Sequence, residues 1–229
     1  LEGRLLQPVV DGLPTDWDSA LDTVAERFRG VIEEHGPDAV AFYVSGQLLT
    51  EDYYAFNKLA RALVGTHNID SNSRLCMSSA VVGYKRSLGA DAPPCSYEDI
   101  EQSDCVLIVG SNMAYAHPVL FRRLEEAKAK RPEMQIIVVD PRRIRITRYA
   151  DKWLRQNLGT DVVWINGLMH VIIKEGLQAK QFIESRTEGF DELQRIVEKF
   201  TPEVVERITG IPAQEIIDAA RLYAQAERG

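Results

Sequence analysis

Hydrophobic positions along the chain first repeat at helical spacing. Leu21, Val24, Ala25, Phe28, Val31 and Ile32 recur every three to four residues, and Asp16 stands where its side chain can cap a helix starting at Trp17. Gly36-Pro37 ends that pattern. Residues 39–44 form a short apolar run closed by Ser45-Gly46, which predicts a buried strand. A second helix is expected over about 51–63, ended by Gly65. Residues 67–76 are polar and aperiodic and are expected to be irregular. Helical spacing returns over 78–88 up to Gly89, and Pro93-Pro94 marks 90–97 as a loop.

The clearest unit follows. Residues 105–109 are an unbroken apolar strand, 118–130 an amphipathic helix opened by Pro118, and 136–139 a second apolar strand. That order predicts a βαβ unit with parallel strands and a right-handed crossover. Past Trp153 helices are expected over 161–175, 179–185, 190–199 and 213–226, punctuated by Gly176, Gly189, Pro202 and Gly210-Ile211-Pro212. The fold class is therefore α/β, a mostly parallel sheet with flanking helices and a Rossmann-like βαβ dinucleotide-binding unit. The stretch near 66–72 is the expected boundary. It divides the 229 residues into part of a first α/β domain (1–70) and a second (71–229).

Composition narrows the function classes. The chain is 45% hydrophobic, an ordinary share for a globular protein. Its net charge of −7 argues against nucleic acid as a partner, because phosphate binding needs a basic face. No apolar run nears the ~20 residues of a membrane span. No secretory leader is visible, and the chain opens on Leu1-Glu2-Gly3 without Met, so its natural start is taken to be missing. Three widely spaced cysteines, Cys76, Cys95 and Cys105, suit a reducing compartment. A cytoplasmic location is expected, with the periplasm left open. Lacking a C-x-x-C pair, these cysteines cannot build a four-cysteine cluster.

Ligands of an open α/β sheet bind beyond the carboxyl ends of its strands. Three segments fall there: Gly46-Gln47, Gly110-Ser111-Asn112 and Asp140-Pro141-Arg142. Glycine and small polar residues ahead of a helix N-terminus offer free N–H groups to an anion, and an acid ending the next strand suits ribose hydroxyls. The alternative is a tight turn at Gly110 and a loop-capping Asp140. Cys76 reads either as a small buried hydrophobe or as a reactive thiol. Its polar neighbours Asn72, Ser73, Arg74, Ser78 and Ser79 favour the second, with Arg74 placed to lower the thiol pKa. Cys95 and Cys105 are expected to be structural. His117 is expected to cap the helix at Pro118 or to touch a phosphate. Arg142, Arg143, Arg145 and Arg148 form either a phosphate site or a solvated face.

The ordered set of segments resembles a known family. Residues 68–80, Asn-Ile-Asp-Ser-Asn-Ser-Arg-Leu-Cys-Met-Ser-Ser-Ala, closely resemble the molybdenum-ligand segment of bacterial nitrate reductases, in the molybdopterin oxidoreductase superfamily. Ser45-Gly46-Gln47, Gly89-Ala90-Asp91-Ala92-Pro93-Pro94, Tyr97-Glu98-Asp99-Ile100, Gly110-Ser111-Asn112-Met113-Ala114 with His117-Pro118, Asp140-Pro141-Arg142 and Gly159-Thr160-Asp161 agree in order and spacing. The resemblance implies a Mo-bis(molybdopterin guanine dinucleotide) cofactor. Cys76 would be the molybdenum ligand and catalytic thiolate, with Gln47 and Asn72 on the pterin side. Gly110, Ser111, Asn112 and Ala114 would cradle a pyrophosphate, Asp140, Pro141 and Arg142 would meet the ribose, and Thr160 and Asp161 the guanine. Asp161 is also expected to cap the helix that follows it. The basic residues at 143, 145 and 148 depart from the Thr- and Ala-rich sequence expected there.

The resemblance also implies reduction of nitrate to nitrite in nitrate assimilation, with nitrate as substrate, an electron-donor protein or domain as partner, and a [4Fe-4S] cluster outside this chain. On that reading the chain is an internal piece of a longer subunit and is inactive alone. A formate dehydrogenase alpha-subunit-like molybdoenzyme is the near alternative. There a histidine is expected directly after the ligating residue, where this chain has Met77. A nucleotide-binding module without redox chemistry is the alternative from another class.

Overall fold

The computed structural model describes residues 3–92 and 94–229; Leu1, Glu2 and Pro93 of the loop-marking pair lie outside the described residues. The chain divides into two compact units, Leu1–Ala92 and Pro93–Gly229. The division falls at 92/93, whereas sequence pattern placed a boundary at 70. Strand pairing explains the difference: the segment read as irregular contains a strand that hydrogen-bonds back into the first unit.

The first unit opens with a hairpin of β1 (Val9–Val10) and β2 (Leu13–Pro14). Helix α1 (Trp17–His35) begins where Asp16 accepts from the Ser19 N–H at 2.8 Å, as the sequence predicts. Strand β3 (Phe42–Val44) pairs in parallel with β4 (Ile69–Ser71), with Val44 opposite Ser71. β4 escapes pattern recognition because only one of its three residues is apolar. Between these strands run α2 (Thr50–Asn57) and a π-helical stretch, Lys58–Val64, ending at Gly65. Val40, Phe42, Val44 and Ala60 form the core, with Phe28 and Ile32 of α1 packed on it. Helices α3 (Ser73–Cys76) and α4 (Ser78–Leu88) follow β4.

The second unit begins with α5 (Tyr97–Gln102), which extends into the segment read as loop. Its sheet has the order β5 (Cys105–Val109), β6 (Gln135–Val139), β7 (Lys152–Leu154), all parallel. α6 (Met113–Ala116) and α7 (Pro118–Lys130) link β5 to β6. The remaining helices are α8 (Asp161–Lys174), α9 (Lys180–Arg186), α10 (Phe190–Val197), α11 (Pro202–Thr209) and α12 (Ala213–Ala224). α11 replaces what the sequence reading treated as punctuation at Pro202; proline is at home in the first turn of a helix. Alternate residues of β6 feed two cores. Ile136 and Val138 pack with Phe121, Leu124 and Ala127 of α7, whereas Ile137 and Val139 pack with Trp164, Leu168, Val205, Ile216 and Ala219 of α8, α11 and α12. Burial on both faces explains why β6 reads as a continuous apolar run. Together with the parallel pairing it confirms the α/β class.

Candidate functional site

In the first unit, parallel pairing puts the carboxyl ends of β3 and β4 side by side, which brings Gly46, Gln47, Asn72 and Cys76 into one neighbourhood. Asn72 Oδ1 accepts from the Gly46 N–H at 2.5 Å, and Asn72 Nδ2 lies 3.9 Å from Cys76 Sγ. The loop after β3 is tied down by Tyr53, whose hydroxyl donates to the Ser45 carbonyl at 2.8 Å. Gln47 is exposed, and its N–H donates to Ser45 Oγ at 3.2 Å. Cys76 ends α3 and is exposed, not a core hydrophobe. Arg74, expected beside the thiol, is engaged with a carboxylate. Its Nε donates to Asp70 Oδ2 at 3.2 Å, an exposed i,i+4 pair. The Asp70 carboxyl is held below its ordinary value by the Ser71 N–H first and Arg74 second.

In the second unit the predicted segments follow three parallel strands and so share one edge of the sheet. Gly110 follows β5 at φ +55°, a left-handed conformation that favours glycine. Asn112 Oδ1 is buried with no hydrogen-bond partner. Asp140, 4% exposed at the end of β6, accepts from the Arg142 N–H at 2.8 Å through Oδ1. Two residues missed by sequence reasoning brace this loop: Trp153 Nε1 donates to the Asp140 carbonyl at 2.8 Å and Arg155 Nε to the Pro141 carbonyl at 3.1 Å. Trp153 lies in β7, which is too short to show a period, and Arg155 directly follows it. Asn112 and Arg142 line a common cleft of about 870 Å³ with Tyr115, Arg143, Arg145 and Arg148. The basic run therefore borders the strand end rather than lying wholly on a solvated face. His117 sits at the start of α7 without a side-chain cap.

Past β7, Thr160 is the N-cap position of α8 and Asp161 its first helical residue, which corrects the expectation that Asp161 caps the helix. Asp161 Oδ1 instead receives long bonds from Gln156 Nε2 at 3.4 Å and Trp164 Nε1 at 3.5 Å. Gln156 is 7% exposed and its Oε1 has no partner. The remaining cysteines divide. Cys105 is buried in the core as expected, and burial first, then the charge of Asp151, pushes its thiol up to about 11. Cys95 is exposed and takes no part in a core.

The molybdopterin oxidoreductase family model matches residues 4–223. The chain belongs to the molybdopterin oxidoreductase family. Among its relatives, a nitrate reductase of Klebsiella oxytoca is 48% identical over the whole chain, which covers 26% of that protein. A periplasmic nitrate reductase of Desulfovibrio desulfuricans is 42% identical over 93% of the chain and 29% of its own length. Formate dehydrogenase H of Escherichia coli is also 42% identical, over 93% of the chain and 30% of its own length. Among solved structures, the acetylene hydratase of Pelobacter acetylenicus superposes with a TM-score of 0.74 at 30% identity, covering 93% of this chain and 29% of that one. The chain thus spans between a quarter and a third of these relatives' length. Membership in the molybdopterin oxidoreductase family implies a molybdenum–molybdopterin cofactor, and the residues fit such a group. An exposed sulfur stands at the strand ends of one unit, and an orphaned buried Asn112 oxygen adjoins an arginine-lined cleft in the other. No helix among the described residues is long and apolar enough to cross a membrane.

Proposed function

We infer that this chain is part of the catalytic subunit of a molybdenum-dependent nitrate reductase, contributing the metal-ligating cysteine and one guanine-dinucleotide cradle. The observation that carries this reading is Cys76, an exposed thiol at the end of α3 in a chain that is 48% identical over its whole length to a nitrate reductase. A soft thiolate suits a metal otherwise held by dithiolene sulfurs. When bound, the cofactor supplies two-electron oxygen-atom transfer, which would turn nitrate into nitrite.

The chain's own residues bind and orient that group. Gln47 and Asn72 stand at the strand ends beside Cys76 for the pterin side. Ser111, Asn112 and Ala114 would offer backbone N–H groups for a pyrophosphate, at the turn that Gly110 makes after β5 while its own N–H donates to the Val139 carbonyl. Asp140 is the acid at the end of the neighbouring strand, with Pro141 and Arg142 beside it, for the ribose. Thr160 and Asp161 follow β7, and the Asp161 carboxylate suits the two donors on the edge of guanine. We assign the domains accordingly, with the dinucleotide cradle on the second unit. The [4Fe-4S] cluster and the electron-donor protein or domain belong to parts outside this chain; the resemblance implies nitrate assimilation, and three free cysteines favour a reducing compartment such as the cytoplasm.

Formate dehydrogenation is the second reading, favoured by the 42% identity to formate dehydrogenase H. Met77, in place of the histidine associated with formate oxidation, weighs against it. Turnover by the molybdenum-loaded full-length protein decides between them. Nitrite formation from nitrate with a reduced viologen supports the first reading, and formate oxidation without nitrate reduction refutes it.

A further inference from the structure

Asn72 is placed to do more than line a pocket. Its Oδ1 accepts from the Gly46 N–H at 2.5 Å while its Nδ2 points to Cys76 Sγ at 3.9 Å. Because the carboxamide is planar, fixing its oxygen fixes the direction of its N–H donors. The two partners come from different strand ends: Gly46 follows β3, and Cys76 closes the short helix that follows β4. The space is shaped for this link. A Cβ on Gly46 would stand 2.5 Å from Asn72 Oδ1 and 3.0 Å from Ser73 Oγ, so the amide occupies the place a side chain would take. An exposed cysteine at the end of a helix has more than one staggered χ1 position open to it, and a donor on one side selects among them.

We propose that Asn72 is a positioning residue for Cys76, anchored on Gly46, which holds the sulfur in one rotamer before any metal reaches it. The proposal rests on the reading of Cys76 as the metal ligand. It leaves Asn72 one further N–H and one lone pair, so a contact to the pterin side does not compete with it.

The test uses nuclear magnetic resonance on this 229-residue chain, reading amide exchange at Gly46 and the Hα–Hβ couplings of Cys76. In the wild type, Gly46 is protected and Cys76 shows a single χ1. Asn72→Asp keeps an oxygen for Gly46 and presents a second oxygen, not a donor, to the sulfur. Gly46 protection should persist while the Cys76 couplings average. Asn72→Ala removes both links and should also speed Gly46 exchange roughly tenfold. Gly46→Ala pushes the amide away from the other side and should free Cys76 in the same way, which keeps the test valid if Asn72→Asp does not fold. A purely structural role would lower the melting temperature without separating the two readouts. Unchanged Cys76 couplings in Asn72→Asp overturn the proposal.

In the molybdenum-loaded full-length protein, Asn72→Asp should shift the g values of the Mo(V) resonance. A Mo(V) signal unaltered by Cys76→Ala overturns the ligand reading and the proposal with it. A signal lost in Cys76→Ala beside unaltered couplings in Asn72→Asp overturns the positioning role alone.

Discussion

Asp161 offers a clean separation of binding from folding. Its Oδ1 takes only long bonds, from Gln156 and Trp164, and the cap position of α8 belongs to Thr160. Asn at 161 can keep an oxygen for those two donors, so Asp161→Asn should cost the fold less than ~1 kcal/mol. For guanine the change is larger, since one acceptor becomes a donor. Loss of a charge-assisted bond of about 1.5–3 kcal/mol weakens cofactor binding roughly 10- to 100-fold. Guanine released from the purified full-length variant, measured by chromatography, should fall with that affinity; wild-type guanine content would leave Asp161 without a nucleotide role. Individual residues were readable in sequence where backbone geometry demands a type, as at the Asp16 cap and the Gly110 turn. Side-chain pairing was not. Arg74 turns to Asp70 of β4, four residues back across the turn into α3, where it finds a local opposite charge.

Long periodic elements were legible for the same physical reason that makes them stable: α1, α7, β5 and β6 bury regular apolar faces. β4 and β7 were not, because strands of three residues show too few periods to register; α11 was not, because its opening Pro202 reads as a breaker although proline suits the first helical turn. The packing of the helices on the sheet makes two predictions. A Cβ on Gly167 of α8 would stand 2.6 Å from Val205 Cγ2 of α11, and Val205 is completely buried. Gly167→Ala should therefore push α8 and α11 apart and destabilise the protein by about 1–3 kcal/mol, overpacking outweighing the better helix propensity of alanine. A urea midpoint at or above wild type would contradict this. The second prediction concerns Cys105 at the start of β5. Its thiol titrates at about 11 when folded against 9.0 ordinarily, so the unfolded chain loses its proton first. Stability from this group is complete below pH 9 and falls as pH rises towards 11, by on the order of 2 kcal/mol. Cys105→Ala has no thiol to ionise, so the gap between its urea midpoint and that of the wild type should narrow over that range. A gap independent of pH would show that the buried thiol does not contribute.

At the scale of the whole molecule, the division into two units sets the terms. Cys76 lies in Leu1–Ala92, and the proposed dinucleotide cradle in Pro93–Gly229. Neither unit carries all the proposed cofactor contacts, and the chain spans no more than about a third of the relatives it matches. We therefore expect the purified 229-residue chain to fold, to hold little or no molybdenum and no iron, and to form no nitrite with reduced viologen. Elemental analysis and a nitrite assay check this, and nitrite above background would contradict it. The ligand role of Cys76 is tested most directly in the full-length protein, by molybdenum content and nitrate reduction of Cys76→Ala beside Cys95→Ala and Cys105→Ala. The account predicts that only Cys76→Ala abolishes turnover while keeping wild-type folding, with the other two active apart from packing losses at 105. Full turnover by Cys76→Ala would contradict it.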